Sequence, residues 1–411
     1  MKLDELDYDL PEELIAQVPA EPRDSSRLLV ATGAAERLWL ADRRFADLPV
    51  LLGPGDVLVR NDTRVIPARA HFRKPTGGRV ELLFVERLRD RAADGAGAGD
   101  GAAGASVDIA VRGATCDATP AAATDTWEVL ARGRLRGGEL LRSEAAPEAF
   151  AVEVGESLGE GRFRVRPAPG VAAPLVHLLA LHGETPLPPY IRTPLDDPER
   201  YQTVYARLRG SVAAPTAGLH FTAALDEALR AAGVTIEHLT LHVGLATFKP
   251  VTVERVEDHP LHEEPFVVDN AVWERIAAAR AAGRRVVAVG TTMVRLLEEL
   301  GRRAAGPDAS IAEPDRSGTD PNRGVAGPDG ARPGVLEGRT RLFITPAYEF
   351  RTVDGLITNF HLPRTSLLAL VMAFCGIDET KRIYAHAIAQ RYRFYSFGDA
   401  MLAWRGGEVS P

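Results

Sequence analysis

Short runs of alternating apolar and polar residues fill the chain between residues 57 and 167, apart from one Ala/Gly/Asp-rich stretch. Each run is bounded by Gly, Pro or Asp, a pattern typical of β-strands. The runs are DVLVRN (56–61), RVIPARAHFR (64–73), GRVELLFVERL (78–88), TWEVLARGRL (126–135), AFAVEVGE (149–156) and GRFRVRP (161–167). They predict a small all-β module, and a β-rich edge of one continuous domain is the alternative.

From residue 175 onward the pattern changes to buried strands that alternate with amphipathic helices. Strands are predicted at 234–243, 285–289 and 355–359. Helices are predicted at 223–232, 270–282, 293–300 and 366–374, each with apolar residues at helical spacing and a glycine just past its end (Gly233, Gly283, Gly301 and Gly376). Such alternation predicts an α/β domain with a largely parallel sheet.

The two patterns together predict the domain organisation. Residues 1–60 and 169–411 form the main α/β domain, and residues 61–168 form an inserted β-rich domain. Two segments, 92–126 and 302–333, lack periodic apolar positions and are predicted to be poorly ordered loops.

Composition excludes several classes of protein. The hydrophobic content of 45% and charged content of 26% are average for globular proteins, and no apolar run is long enough to cross a bilayer. The acidic start MKLDELDYDLPEEL lacks the basic and apolar blocks of a signal peptide, which favours a cytoplasmic protein.

Two cysteines, Cys116 and Cys375, predict neither a disulfide framework nor a zinc site. The net charge of −7 does not indicate an RNA binder, although a local basic face is compatible with it.

Compact polar motifs follow the predicted strands or precede the predicted helices at four places. They are PTAGLHFT (215–222), LHVGLATF (241–248), VGTTMVRLLE (289–298) and TNFHLPRTS (358–366). Because open α/β sheets build their sites at strand ends, His220, His242 and His361 are expected in one cleft. A metal site with His262 and Glu264 is an alternative, but the histidines lack zinc-like spacing, so no metal is expected. A hydrogen-bonded structural role is the other alternative for each histidine.

VGTTMVRLLE predicts an anion site. A strand ends at Val289, Gly290 turns, and Thr291 or Thr292 caps a helix whose free amides attract a carboxylate or phosphate. Arg295, one turn later, could add a bidentate contact. An ordinary helix cap with a solvated arginine is the alternative.

Two aromatic segments are candidate nucleic-acid contacts. A proline-rich loop precedes Tyr190 and Tyr201, and Arg391 and Arg393 alternate with aromatic residues in RYRFYSFGDAM. Core packing of the tyrosines and a plain C-terminal turn are the alternatives.

Ten sequence blocks together resemble one family, the S-adenosylmethionine:tRNA ribosyltransferase-isomerases of the queuosine pathway. The blocks are YDLPEELIAQVPAEPRDSSRLL, GDVLVRNDTRVIPAR, PLPPYI, YQTVYA, VAAPTAGLHFT, LTLHVGLATFKPV, EDHPLH, VGTTMVRLLE, TNFHLPRTSLLALV and YRFYSFGDAM. The resemblance covers nearly the whole chain apart from the two long loops. It implies a cytoplasmic enzyme with an α/β main domain and an inserted β-barrel.

The resemblance also implies a reaction. The ribosyl part of S-adenosylmethionine is transferred and isomerised onto 7-aminomethyl-7-deazaguanine in tRNA, which gives epoxyqueuosine, adenine and methionine. S-adenosylmethionine is then a co-substrate, no other cofactor is expected, and the enzyme is expected to act as a monomer on tRNA without a membrane. A sulfonium acidifies the neighbouring 5′ carbon, so a histidine with a pKa near neutral could remove that proton.

Residue roles follow from this implied chemistry. His220 and His242 are assigned to acid/base catalysis, and Glu264 to orienting a histidine or holding the aminomethyl group. Thr291, Thr292 and Arg295 are assigned to the methionine carboxylate. The other residues predicted to bind substrate are Thr216, His262, Asn359 and His361.

Four positions depart from the usual family pattern. Ala246 and Ala347 replace glycines, and Met293 and Met372 replace serines. These departures put the acceptor in doubt, so a paralogue that uses S-adenosylmethionine with another, small acceptor is one alternative. A catalytically silent RNA-binding module is another.

Overall fold

The structure is a computed structural model that describes residues 1–33, 37–88, 125–244, 251–261, 263–305 and 334–405. These residues form two compact units. The sheet unit comprises 1–63, 188–206 and 214–411, and the barrel unit comprises 64–187 and 207–213. The two predicted loops, 92–126 and 302–333, lie almost entirely outside the described residues.

Both units are built from short strands, which are joined by helices mainly in the sheet unit. In chain order, the strands are β1 (Arg27–Thr32), β2 (Trp39–Arg44), β3 (Val57–Asn61), β4 (Thr63–Val65), β5 (Arg69–Arg73), β6 (Arg79–Leu88), β7 (Thr126–Arg132), β8 (Leu140–Ser143), β9 (Ala151–Gly159), β10 (Arg162–Pro167), β11 (Leu208–Ser211), β12 (Thr235–Leu241), β13 (Glu264–Asp269), β14 (Val286–Val289), β15 (Val335–Thr340), β16 (Gly355–Asn359) and β17 (Ala400–Trp404). The helices are α1 (Leu48–Leu51), α2 (Leu175–His182), α3 (Ala223–Ala231), α4 (Asn270–Ala281), α5 (Thr291–Ala305), α6 (Ser366–Cys375) and α7 (Ile377–Ala389). Short 3-10 helices lie at Leu3–Leu6, Glu12–Leu14, Arg23–Ser25, Phe45–Asp47, Pro198–Tyr201, Thr216–His220 and Val256–Asp258.

A nine-stranded sheet, in the order β15-β13-β12-β3-β14-β16-β17-β1-β2, forms the framework of the sheet unit. Its central strands β12, β3, β14 and β16 are parallel. The pairs β12–β13, β13–β15, β16–β17 and β1–β2 are antiparallel, while β1 and β17 are parallel. The predicted α/β class is confirmed, and the sheet is parallel at its centre but mixed as a whole, because antiparallel pairs occur on both sides of the central strands.

Burial on both sheet faces explains why the central strands read as apolar runs. Every residue of β3 and β14 is buried. On one face, Leu58, Val287 and Ile357 belong to the same core cluster as Leu225 and Leu229 of α3. The sheet therefore fixes the positions of the loops that leave its strand ends.

Three of the four predicted helices match the structure closely. The helices α3, α4 and α6 end within one residue of the predicted ends. The prediction for α5 is wrong, because this helix starts at Thr291 and continues through Gly301 to Ala305. A Cβ at Gly301 would collide with the Thr352 hydroxyl, so this glycine permits close packing and does not end the helix.

The barrel unit is a closed six-stranded antiparallel barrel in the order β10-β7-β6-β5-β8-β9. Its core contains Phe72, Phe84, Trp127 and Phe150, which pack ring against ring. This barrel confirms the predicted β-barrel fold. The unit continues past residue 168 to Leu187 and so includes α2, whereas the strand-like run 56–61 belongs to the main sheet as β3. In the part of the chain that the structure describes, no helix has the length and apolar character needed to span a bilayer.

Candidate functional site

A cavity of about 450 Å³ lies within the sheet unit, at the carboxyl ends of its central parallel strands. It is lined by Ala214, Pro215, Thr216, Ala217, Val243, Gly290, Thr291, Thr292, Thr358, Asn359, His361, Leu367, Tyr395 and Ser396. Five predicted substrate-binding residues, Thr216, Thr291, Thr292, Asn359 and His361, thus share one cavity.

The first turn of α5 forms one wall of this cavity. Gly290 links β14 to α5 with φ +88°, and its carbonyl accepts hydrogen bonds from the Met293 and Val294 amides. Gly290 therefore occupies the capping position, and the predicted capping by Thr291 or Thr292 is wrong. Both threonines lie inside the first turn and face the cavity. The Thr292 hydroxyl is buried and makes no hydrogen bond within the described residues.

Arg295, one turn further along α5, forms a buried ion pair with Glu264. Arg295 Nη1 donates to Glu264 Oε2, and Arg295 Nε donates to the Leu342 carbonyl at 2.9 Å. Glu264 Oε1 accepts from the Gly244 amide at 3.1 Å. Arg295 is 7% exposed and Glu264 4%. Arg295 Nη2 is buried and finds no acceptor in the described part of the chain, so this one nitrogen keeps its capacity to donate, although Arg295 is not among the residues that line the cavity.

His220 ends the 3-10 helix Thr216–His220 and lies behind the cavity wall. Thr216 Oγ1 donates to Asn359 Oδ1 (3.0 Å), and Asn359 Nδ2 contacts His220 Nε2 (3.2 Å). His220 Nδ1 contacts Ser26 Oγ at 2.8 Å, and the ring stacks on Phe45. Since the amide donates to Nε2, Nδ1 carries the proton. A chain of hydrogen bonds therefore runs from the cavity wall to the interior.

The other two histidines are also held by hydroxyl groups. His242 follows β12, and its Nδ1 lies 2.9 Å from Thr63 Oγ1. His361 lines the cavity, and its Nε2 lies 2.9 Å from Thr358 Oγ1. Of the three histidines that were expected in one cleft, only His361 lines the cavity.

Burial changes the protonation of all three rings. Desolvation lowers the pKa of His220 to about 3, with the charges of Arg393 and Arg23 adding to the effect. It lowers the pKa of His361 to about 3, and that of His242 to about 4 against the opposing charge of Asp62. The pKa near neutral that the sequence led us to expect is therefore wrong, because burial disfavours the imidazolium. At pH 7 all three rings are neutral.

The aromatic residues predicted to contact nucleic acid divide into two groups. The Tyr190 hydroxyl lies 2.5 Å from Ser396 Oγ, and its ring packs on Tyr395, so it adjoins the cavity wall. Tyr201 is fully buried, with its ring edge-on to Phe397. This burial favours the core-packing alternative, and contact between Tyr201 and a base stays a prediction.

Arg391 and Arg393 lie outside the cavity lining. Arg391 is exposed and is 4.0 Å from Glu13. Arg393 is half-buried and bonds to Asp399 and to the Val18 carbonyl. The structure thus gives both arginines intramolecular partners, and their contact with nucleic acid stays a prediction.

Comparison with known proteins decides the family. The sequence model of the family described as queuosine biosynthesis protein matches residues 3–403. The chain belongs to the queuosine biosynthesis protein family. It is 46% identical to an S-adenosylmethionine:tRNA ribosyltransferase-isomerase of Rubrobacter xylanophilus, with 99% of each chain covered. It is 44% identical to one of Xanthomonas oryzae pv. oryzae, with 98% of this chain and 97% of that protein covered. A solved S-adenosylmethionine tRNA ribosyltransferase of Thermotoga maritima is 31% identical, covers 97% of this chain and 99% of its own, and has a TM-score of 0.47.

Membership of the queuosine biosynthesis protein family gives the four departures a structural meaning. Met293 is fully buried in α5 and is absent from the cavity lining, so the missing hydroxyl is not lost from the wall. Met372 is buried in α6. Ala347 has φ +78°, the backbone conformation that favours the glycine usual at this position. Ala246 lies outside the described residues.

Several wall residues of this family member escape prediction from the sequence. Thr358 and Leu367 lie in or beside the motif TNFHLPRTS, but the pattern does not show that they face the cavity. Tyr395 and Ser396 reach the wall through a turn in which Tyr395 has φ +71°. Within the described residues no three His, Cys, Asp or Glu side chains are grouped to hold a metal ion, and His262 of the metal alternative lies outside them.

Proposed function

We propose that this chain is an S-adenosylmethionine:tRNA ribosyltransferase-isomerase. It transfers and isomerises the ribosyl moiety of S-adenosylmethionine onto 7-aminomethyl-7-deazaguanine in tRNA, and it releases adenine and methionine. The observation that carries the proposal is the match to relatives of that name along the full length of both chains. The cavity supports it, because its wall contains the start of helix α5, which can donate hydrogen bonds to an anion. The wall also contains Thr, Asn, His and Ser side chains that can donate or accept hydrogen bonds.

The methionine carboxylate is assigned to the first turn of α5. Thr292 and Arg295 are three positions apart, so they lie on one side of the helix. The Thr292 hydroxyl and Arg295 Nη2 are buried polar atoms without partners among the described residues, and such atoms are costly unless a ligand satisfies them. The free amides of the helix start add attraction for an anion, and Thr291 stands beside them.

Proton transfer is assigned to His220 and His242. The sulfonium acidifies the 5′ carbon, and a neutral imidazole has the free lone pair that a base needs, but the lowered pKa makes each ring a weak base in the unliganded protein. Departure of adenine needs a donor, which a ring N–H or the Asn359 amide supplies. Direct exchange between His220 and a ligand requires Asn359 to release Nε2, because the amide occupies that nitrogen. His361 and Thr216 line the same cavity and are assigned to substrate binding, as is His262.

Glu264 is assigned to the acceptor amine. Its carboxylate is held by the Gly244 amide and by Arg295, so it is fixed in direction before any substrate arrives. An oriented carboxylate binds an ammonium group well, which suits the aminomethyl group of the acceptor. Tyr190, Arg391 and Arg393 are assigned to the surrounding nucleic acid. We further propose that the enzyme acts as a monomer and that the reaction takes place in the cytoplasm.

The proposal is tested by incubating the protein with S-adenosylmethionine and tRNA that carries 7-aminomethyl-7-deazaguanine. Mass spectrometry should detect adenine and a modified base heavier by the transferred ribosyl group. In the control, tRNA with unmodified guanine replaces the substrate tRNA, and the enzyme should then release no adenine from S-adenosylmethionine. Release of adenine with the free deazapurine but not with tRNA would instead assign a small acceptor, and release with neither would reject the function.

A further inference from the structure

Six basic side chains gather at one end of the barrel, in and beside the turns that join β5 to β6 and β7 to β8. We call this set the basic rim: Arg73, Lys74, Arg79, Arg132, Arg134 and Arg136. Strand register brings its members together, since Arg73 pairs with Arg79 across β5 and β6. Lys74 Nζ donates to the Arg134 carbonyl, which ties one turn to the other.

Three carboxylates of the barrel neutralise only part of this charge. Glu144 binds Arg73 (3.1 Å) and Arg79 (2.8 Å). Glu139 binds Lys74 at 3.3 Å, and Glu81 lies 3.7 Å from Arg132.

The basic and acidic groups differ in exposure. The side chains of Glu81, Glu139 and Glu144 are 20%, 25% and 22% exposed. Those of Arg73, Arg79 and Arg132 are 57%, 67% and 68% exposed, whereas Lys74 is 17% exposed and lies as deep as the carboxylates. The carboxylates are therefore less exposed than these three guanidinium groups, and a molecule that approaches the arginines of the rim meets positive charge first.

Arg134 and Arg136 add charge without compensation. Both are exposed, and no carboxylate of the described residues lies within ion-pair distance of either guanidinium. Glu139 is the acidic residue of this turn, but it accepts from the Arg136 backbone amide at 3.1 Å and pairs with Lys74. Neither guanidinium is needed to hold the turn, so both are available to an external anion.

We propose that the basic rim is a binding surface for the phosphate backbone of tRNA. The inference rests on the proposed function, because tRNA is the polyanion that this enzyme must hold. A chain with a net charge of −7 repels RNA overall, so it needs a local surface of outward-facing cations. Exposed guanidinium groups suit phosphate, which they bind with two parallel hydrogen bonds. The rim belongs to the barrel unit and the cavity to the sheet unit, so mutation can separate their roles.

The test compares two double charge reversals in the full-length protein. The rim variant is R134E/R136E. The matched control is R164E/R166E on β10, whose arginines are 51% and 58% exposed and each bind a carboxylate, Glu156 and Glu153. Dissociation constants for tRNA are measured at several salt concentrations, and kcat and KM for adenine release are measured with the same tRNA.

The rim variant should bind tRNA at least about tenfold more weakly near 0.1 M salt, with a slope of log affinity against log salt smaller by about 2. Its KM should rise in parallel, and kcat at saturating tRNA should match wild type. The control should change affinity by less than about twofold. The R134A/R136A variant should also bind tRNA more weakly than wild type, but with a smaller loss of affinity than R134E/R136E. Thermal melting curves that match wild type would exclude misfolding of the variants.

Wild-type affinity and salt slope in R134E/R136E would overturn the rim and leave the proposed function intact. Equal weakening in R164E/R166E would overturn it as well, because net charge alone would then explain the loss. If the wild-type protein binds tRNA through the rim but releases no adenine, the proposed function fails and the rim stands.

Discussion

The three buried histidines and the Glu264–Arg295 ion pair solve the same physical problem in opposite ways. Burying a charge is expensive, so an ionisable group either becomes neutral or finds an opposite charge. His220, His242 and His361 are neutral and bind hydroxyl or amide groups. Glu264 and Arg295 stay charged and bind each other. The two sets therefore suit different tasks beside one cavity.

A neutral imidazole keeps a lone pair that can accept a hydrogen bond or a proton, but the lowered pKa makes these buried rings weak bases. An ion pair cannot exchange protons as easily, but it directs a fixed field at a charged substrate. The proposed substrates carry a sulfonium, a carboxylate and an amine that attacks after losing a proton. Both kinds of site are needed, and mutations should affect them differently.

Replacing His220 by Ala should have the largest effect on activity. Turnover should fall by about two to four orders of magnitude if this ring moves a proton in the reaction. The rate of adenine release at saturating substrate measures it. His177→Ala, which removes an exposed histidine, is the control and should leave the rate unchanged. Near-wild-type turnover in H220A would remove His220 from the mechanism.

Breaking the ion pair should have the largest effect on stability. In Glu264→Gln the Arg295 charge stays buried without its partner, which should cost about 3–5 kcal/mol of unfolding free energy. Urea denaturation measures the loss. The neighbouring Glu263→Gln removes a half-buried carboxylate that pairs with Arg339 and Arg341, and it should cost less than about 1 kcal/mol.

A double variant sharpens this prediction. E264Q/R295M removes both charges and should recover much of the stability, while it should not recover activity. Equal stability of E264Q and wild type would show that the pair is not effectively buried.

The pH dependence of stability should distinguish neutral histidines from charged ones. The unfolded chain binds a proton at each histidine below about pH 6.5, whereas folded His242 resists protonation down to about pH 4. The unfolded state therefore holds more protons in this window, so stability falls as pH falls. Each such histidine contributes about 1.4 kcal/mol per pH unit, and its contribution is fully present above pH 6.5.

His242→Asn tests this sign. Asn Oδ1 can replace the contact of Nδ1 with Thr63 but cannot titrate. The slope of unfolding free energy between pH 6 and pH 4 should decrease by about 1.4 kcal/mol per unit relative to wild type. His177→Asn, at an exposed position, should leave the slope unchanged. Parallel curves for wild type and H242N would show that folded His242 titrates normally.

The sequence predicts the fold better than it predicts the contacts of the site. Hydrophobic periodicity is a local signal, and it locates α3, α4, α6 and β16 nearly to the residue. Strand ends then predict that Thr216, Thr291 and Asn359 meet, because sheet topology gathers them. The antiparallel edges of the sheet leave no such local signal.

Pairing between distant side chains explains most of what the sequence does not reveal. Neither Arg295 nor Glu264 carries a signal of its partner 31 residues away. Glu298 looks like the end of the motif VGTTMVRLLE, yet it is fully buried and accepts from the amides of Arg351, Thr352 and Val353. The lowered histidine pKa values come from burial, which depends on the assembled fold.

Ala347 offers the smallest and most local test. Its φ of +78° is costly for an L residue, by about 1–2 kcal/mol, and glycine adopts it freely. Glycine also adds entropy to the unfolded chain, worth about 0.5–1 kcal/mol, so Ala347→Gly should stabilise the protein by up to about 1 kcal/mol. Ala278→Gly, at an exposed position within α4, is the same substitution with the opposite expected sign, about 1 kcal/mol of destabilisation. Urea denaturation of both variants measures the two changes in unfolding free energy. If both substitutions destabilise the protein, the backbone at Ala347 relaxes out of the left-handed region. Neither change touches the histidines or the ion pair, so turnover should stay at the wild-type level in both.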